Sequence, residues 1–149
     1  MNHWSDKLAL ITITVWVGAL WAIGYLAAPA LFYTLQDKQV AGMLAGKMFG
    51  FVAYVGIASA FYLLIQRLVR FGTPALKQGF FWAALAMLLL TLAGHFGIQH
   101  VLAGLKAQAM PADVMQSVFA SRFKTWHGVA SIAYLVESLL GLLLVLRAR

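Results

Sequence analysis

The chemistry that this sequence can support centres on one acidic residue inside an apolar segment. Glu137 interrupts an otherwise uncharged run, and the imidazole of His95 lies in a second such run. A carboxyl group near an imidazole can share a proton, take one up and change its charge. Ionisable groups in apolar segments are costly to bury, so they are candidates for function. These residues predict a site that binds or moves a proton or a small cationic solute.

Helical spacing connects this pair to further polar side chains. Gln99 follows His95 by four residues, so both share a helix face with Thr91. Counting about 1.5 Å per residue from the segment ends places Glu137, His95 and Tyr25 at a similar depth. The predicted site comprises Tyr25, His95, Gln99, His127, Ser131, Tyr134 and Glu137. From the residues alone, a purely structural pairing of Glu137 with His95 that holds two helices in register is equally open.

The amino-acid composition indicates whether these side chains lie in a water-soluble protein or in a membrane protein. Of 149 residues, 63% are hydrophobic and only 10% are charged, and the mean hydropathy is +0.86. Soluble domains have about 45–50% apolar and about 25% charged residues, so a water-soluble enzyme is excluded. The net charge of +7 is spread along the chain and forms no stripe for nucleic acid. With no cysteine, thiolate metal sites and disulfides are also excluded.

Four apolar runs are each long enough to cross a bilayer, which takes about 20 helical residues. Charged residues other than Glu137 are missing from Leu8–Gln36, Met48–Gln66, Gln78–Leu105 and Thr125–Leu146. Because lipid leaves no partner for free backbone groups, these runs predict helices. The expected fold is an all-α integral membrane protein, a single domain over 1–149 that forms an antiparallel four-helix bundle. The predicted helices span about 7–35, 40–69, 78–105 and 111–147, with amphipathic extensions before the second and fourth helices and the membrane part of the fourth from about 125.

Basic residues predict the orientation in the membrane. One side would hold Lys7, Arg67, Arg70, Lys77, Arg147 and Arg149, and the other Lys38, Lys47, Lys106, Arg122 and Lys124. The first group clusters at short connections and chain ends, which favours both termini in the cytoplasm.

Small residues predict where helices approach closely. Gly42, Gly46 and Gly50 form a GxxxGxxxG series, and Gly24 pairs with Ala28 in the same way. Such series permit close packing inside the bundle or between protomers. Because four helices enclose little volume, a homodimer or a larger membrane complex is the expected assembly, with the lipid bilayer as the surrounding partner.

Four stretches together resemble a small bacterial four-helix membrane family that is known only as a domain of unknown function. They are WVGALWAIGYLAAPALF (Trp16–Phe32), AGMLAGKMF (Ala41–Phe49), LLTLAGHFGIQ (Leu89–Gln99) and RFKTWHGVASIAYLVESLLGL (Arg122–Leu142). Eukaryotic relatives of that family include the transmembrane protein linked to cisplatin resistance. The resemblance covers nearly the whole chain and is most specific in the fourth helix. It implies a bacterial inner-membrane location and no assigned activity.

A more distant likeness concerns the first helix. The segment Trp16–Leu20 is similar to copper-resistance D-type membrane domains and to HemJ-type protoporphyrinogen oxidases. In the oxidases a histidine precedes this tryptophan by about two turns, whereas Leu8–Ile13 contains none. Haem ligation by His95 and His127 would need to bridge about 12 Å along the helix axis. Met43 and Met48 lack the short spacing that favours copper, so we expect no metal and no resident cofactor.

Three classes of function remain open from the sequence. The first, which we predict, is the binding or movement of a proton or small cationic solute at the Glu/His/Tyr site. The second is an assembly or structural subunit of a membrane complex. The third is a membrane oxidoreductase that binds haem or quinone. No catalytic residues are predicted, and the sequence favours a protein that is not an enzyme.

Overall fold

Four long helices make up the protein in a computed structural model that describes residues 3–148. We label them α1 (His3–Thr34), α2 (Lys38–Phe71), α3 (Gly79–Ala109) and α4 (Ala120–Leu146). Each is long and apolar enough to cross a membrane, and residues 3–148 contain no strand. The all-α, four-span prediction is therefore confirmed, and the chain is a multi-pass membrane protein.

Local side-chain chemistry explains where α1 and α2 meet. The Asp37 carboxylate accepts hydrogen bonds from the backbone N–H groups of Gln39 and Val40, at 2.9 and 3.3 Å, and so caps the start of α2. The ammonium of Lys38 donates to the carbonyl of Phe32 in the last turn of α1 and to that of Leu35 just after it, the latter at 2.9 Å. The predicted amphipathic extension is thus the first part of a continuous α2. At the other end, Gly72 ends α2 with a φ of 63°, a conformation that glycine adopts without strain.

The segment before α4 differs from the prediction of a helix from Pro111. A short 3₁₀ turn, Val114–Gln116, stands there instead, and the α-helix begins at Ala120. The Asp113 carboxylate accepts a backbone N–H of this turn at 3.0 Å, and the Ser117 hydroxyl donates to one of its carbonyls at 2.7 Å. Such local bonds satisfy the backbone without a helix, because short polar side chains compete with the helical hydrogen-bond pattern.

Two of the helices contain a widened, π-helical turn. In α1 it covers Ile23–Ala27 and ends two residues before Pro29. Proline has no N–H to donate to the carbonyl four residues earlier, so the regular α pattern is interrupted there. In α3 the π-helical turn covers Ala93–Ile98 and includes His95. Turns of this kind occur frequently at functional sites, because they turn side chains toward new positions.

Each helix contacts the next in chain order, and α4 returns to contact α1. The ion pair between Asp6 and Arg70 and the contact of Arg147 with Gly79 place both chain ends and the α2–α3 connection together. We call this the termini end. The α1–α2 and α3–α4 connections lie at the opposite end, which we call the distal end. Arg149, one of the cations assigned to the termini side, lies outside the described residues.

The most tightly packed side chains lie inside the bundle, and other large apolar side chains lie exposed on its outside. Side chains from all four helices have 0–1% of their surface exposed in the core. They are Trp16, Leu20, Leu63, Met87 and Leu144. Large apolar side chains on the outside, such as Phe51 and Ile132, are exposed. An apolar exterior on helices of this length is the pattern of a protein surrounded by lipid.

Candidate binding site around Glu137

Glu137 points into the bundle and not toward lipid. Only 6% of its surface is exposed, and its Oε1 lies 2.5 Å from the hydroxyl oxygen of Thr91 on α3. The same hydroxyl lies 2.8 Å from the carbonyl oxygen of Met87, one turn earlier on α3. The carboxyl group of α4 is therefore tied to α3 through Thr91, which the sequence placed on the same face as His95.

Two neighbours of Glu137 connect α4 to α1. The Tyr134 hydroxyl donates a hydrogen bond of 2.5 Å to the carbonyl of Leu20. The Tyr25 hydroxyl donates to Ser138 Oγ at 2.9 Å, and that serine in turn donates to the Tyr134 carbonyl at 2.7 Å. The segment 134–138 of α4 is thus held on both sides, by α1 and by α3.

Gly24 permits the close approach of α1 and α4 at this level. A Cβ placed on Gly24 would lie 2.8 Å from Cζ of Tyr134 and closer still to Cε1. Any side chain there would overlap the tyrosine ring. The Tyr134 ring also packs edge-on against Phe49 of α2, with the ring centroids 5.2 Å apart. Gly24 therefore lies at a close contact between α1 and α4.

A cavity of about 70 Å³ opens beside the carboxyl group, and all four helices contribute to its wall. A cavity needs only about 10–15 Å³ by this measure to hold one water molecule, so several fit. The polar part of the wall comes from α3 and α4. It consists of Thr91, His95, Gln99, Tyr134 and Glu137. The structure thus brings together four of the residues that the sequence proposed and adds Thr91 as the direct partner of Glu137.

His95 reaches the cavity without a hydrogen bond to Glu137. Its ring packs edge-on against Tyr54 and Phe96, with centroids 4.9 and 4.8 Å away. Within residues 3–148, its ring nitrogens make no hydrogen bond to another protein group. Both ring nitrogens of His95 can therefore bind a ligand or water in the cavity.

The other proposed site residues lie elsewhere. Tyr25 is partly exposed and reaches the site only through Ser138. His127 and Ser131 are exposed and are not part of the cavity wall. His127 stacks on Phe123, with the ring centroids 5.8 Å apart. At about 100° per residue, Ser131 is rotated about 120° from Glu137 around α4, which turns it outward.

The glycine series of α2 does not act as one surface. A Cβ on Gly42 would lie 3.5 Å from the ammonium of Lys106, and one on Gly50 would lie 3.7 Å from the His95 ring. These two glycines face neighbours in the bundle. Gly46 is exposed, with no atom within 4 Å of its Cβ position among the described residues.

Within residues 3–148 no group of three or more histidine, cysteine, aspartate or glutamate side chains is arranged to hold a metal ion. His95 and His127, the pair considered for haem, lie on different surfaces, one at the cavity and one on the outside of α4.

Comparison with known families identifies relatives of this chain. Residues 11–111 match the family described as "Domain of unknown function (DUF4149)". The chain belongs to this family. Thr91, His95 and Gln99 lie inside the matched segment, whereas α4 with Glu137 lies beyond it. No curated protein and no solved structure matches the chain. The expected relationship to the cisplatin-resistance-associated, copper-resistance D-type and HemJ-type proteins stays a prediction.

Proposed function

We propose that this DUF4149 protein binds a proton or a small cationic solute at Glu137. The observation that supports this most directly is the buried carboxyl group beside a cavity that further polar side chains line in part, inside an apolar bundle. Burial of an ionisable group in a membrane protein is costly and is typical of ion and proton sites. The cavity wall supplies a carboxyl group, an imidazole, an amide and two hydroxyl groups within one space.

The volume of the cavity limits the size of the ligand that it can hold. Sites for organic molecules usually have volumes of about 300–1,000 Å³. The cavity beside Glu137 measures about 70 Å³, which suits water, a proton or a small cation. Its size argues against an organic substrate bound in this conformation.

The donors and acceptors around Glu137 favour a carboxyl group that carries a proton. The Thr91 hydroxyl has one proton but lies within hydrogen-bond distance of two acceptors, the Met87 carbonyl and Glu137 Oε1. When Thr91 donates to the carbonyl, the contact with Glu137 needs a proton from the carboxylic acid. When Glu137 gives up its proton, the hydroxyl can turn and donate to the carboxylate. Thr91 thus provides a partner for both states of the acid.

The proposal is tested by infrared difference spectroscopy of the protein in liposomes at acidic and alkaline pH. A buried carboxylic acid has a C=O band separate from those of exposed acids, and Glu137 is the only glutamate in the chain. We expect Glu137→Gln to abolish this band and His95→Gln to shift it. The exposed His100→Gln is the matched control and should leave it unchanged.

Retention of the full band in Glu137→Gln would contradict the proposal. If the band is absent from the parent protein and Glu137→Gln lowers only the stability, Glu137 acts as a structural contact between α3 and α4. That result would favour the alternative role, an assembly or structural subunit.

A further inference from the structure

We infer that the ligand of Glu137 is a proton and that it reaches the carboxyl group only from the distal end of the bundle. The inference rests on the proposed function for the presence of a ligand. The direction of access is argued separately, from the position of the cavity along the helices.

The cavity occupies the distal side of Glu137. The residues of α4 in its wall run from Ala130 to Glu137, and α4 begins at the distal end. On α3, which ends at the distal end, the wall runs from Leu90 to Gln99. At about 1.5 Å per residue these segments are about 10–14 Å long. Glu137 and Thr91 therefore lie at the inner end of the cavity.

Packing closes the bundle on the termini side of Glu137. One turn beyond it, a Cβ placed on Gly141 would lie 3.3 Å from Val17 and 3.5 Å from Met87. Leu144, a further turn along, has 0% of its surface exposed, as has Leu63 of α2. Closely packed apolar side chains leave no space for a file of water. Within residues 3–148, the carboxyl group has no hydrogen bond to a side chain on its termini side.

Over the length of the cavity, the distal side of Glu137 has the opposite character, whereas beyond Gln99 an apolar cluster with Leu105 and Phe123 packs α3 against α4. Gln99 and His95 supply polar groups along the cavity. Gly94, Ala130 and Ala133 in the same wall have small or no side chains and so leave space. The titratable groups of the wall besides Glu137 are His95 of α3 and Tyr134 of α4, because α1 and α2 contribute only apolar residues. A proton can therefore pass through water and His95 to Glu137.

The distal end is basic, and the narrow route to Glu137 suits a proton better than a hydrated metal cation. Lys106 lies seven residues beyond Gln99, and its ammonium stands over the Phe123 ring of α4, 5.6 Å from the centroid, close to Gly42 of α2. The other distal cations are Lys38, Lys47, Arg122 and Lys124. A positive potential lowers the local concentration of every free cation, protons included. What distinguishes the proton is that water and the His95 imidazole can relay it along hydrogen bonds, so it needs no space for a hydrated ion.

Accessibility of single cysteines tests the direction, and the chain has no cysteine of its own to interfere. Ala133→Cys and Ala130→Cys place a thiol in the cavity wall. Gln36→Cys and Thr73→Cys report which end of the bundle a reagent reaches, and Leu144→Cys is the core control. Ag⁺ is small enough for the cavity and is added to one side of sealed vesicles. Thiols that remain free are then counted with a maleimide after denaturation.

We expect Ag⁺ added on the side where it blocks the thiol of Gln36→Cys to block the thiols of Ala133→Cys and Ala130→Cys as well. Ag⁺ added on the side where it blocks only Thr73→Cys should leave both cavity thiols free. Leu144→Cys should stay free from both sides. Blocking of the cavity thiols from the side of Thr73→Cys would overturn the inference. So would cavity thiols that stay free from both sides in variants that keep the helix content and elution profile of the parent.

The identity of the ligand is tested on the same preparations. Addition of Na⁺ or K⁺ at constant pH should leave the carboxylic acid band of Glu137 unchanged, whereas a bound cation would displace the proton and reduce it. Loss of the band on adding either ion would overturn the assignment to a proton. If the Glu137 band does not change with pH and Ag⁺ blocks the cavity thiols only from the distal side, the proposed function fails but the direction of access stands.

Discussion

At the scale of single residues, the hydroxyl groups of this bundle have different hydrogen-bond partners depending on whether they are buried or exposed. Thr91 is buried and joins α3 to Glu137 of α4. Thr14 is exposed, and its hydroxyl donates only to the carbonyl of Leu10 on its own helix, at 2.8 Å. The same residue type is thus an interhelical partner in one place and a local one in the other.

Replacement of Thr91 by valine should lower the stability by about 1–2 kcal/mol, because the buried carboxyl group of Glu137 loses its hydrogen-bond partner on α3. Thr14→Val is the matched control and should change the stability by less than about 0.5 kcal/mol. Reversible unfolding in mixed micelles measures both. Equal effects of the two substitutions would show that the Thr91–Glu137 contact contributes nothing to stability.

Tyr134 offers a second comparison at this scale. Tyr134→Phe removes the hydrogen bond to the Leu20 carbonyl but keeps the ring that packs against Phe49. We expect a loss of stability of about 0.5–1.5 kcal/mol, the range for interhelical bonds in membranes. Tyr33→Phe, at a position with 93% exposure, should have no effect. An unchanged unfolding curve for Tyr134→Phe would contradict the assigned contact.

At the scale of helices, the site depends on how closely α1 approaches α4. The π-helical turn Ile23–Ala27 contains Gly24, which lies directly against the Tyr134 ring. The same turn carries Tyr25, whose hydroxyl binds Ser138. A regular helix would rotate both residues to other directions, because a π-helical turn adds one residue to the turn.

Gly24→Ala should therefore destabilise the bundle by about 1–3 kcal/mol, since the new methyl group overlaps Tyr134. Gly18→Ala on the same helix is the control. Its Cβ position has no atom of the described residues within 4 Å, and alanine favours helices by about 0.5–1 kcal/mol. The thermal unfolding temperature should fall for the first variant and stay equal or rise for the second. A rise for both would remove the argument for close packing at Gly24.

At the scale of the whole molecule, the two ends of the bundle differ in how they are held together. The termini end has the ion pair of Asp6 with Arg70, and Arg67 stands over the Phe80 ring at 3.9 Å from its centroid. The distal end has the capped start of α2 and the ammonium of Lys106 between helices. The cavity beside Glu137 lies on the distal side of the buried core.

The packing of the chain ends also makes a topological prediction. Because α1 and α4 both have their free ends at the termini end, reporters fused to either end of the chain should lie on the same side of the membrane. The distribution of basic residues predicts that this side is the cytoplasm. Fusions to a fluorescent protein and to a periplasmic phosphatase measure both points. Opposite results for the two ends would contradict an even number of spans.

The sequence by itself determined the fold class, because apolar runs of bilayer length can be satisfied only by helices, and a chain with four of them becomes a four-span bundle. It also identified Glu137 and the face shared by His95 and Gln99, since burial of a charge and a spacing of four residues are local properties. Only the tertiary structure decided that Thr91 and not His95 contacts the acid. It also turned His127 and Ser131 outward, because rotation of one helix against its neighbours depends on interlocking side chains. The contact of Gly24 with Tyr134 joins residues far apart in the chain, and no local pattern determines the distance between them.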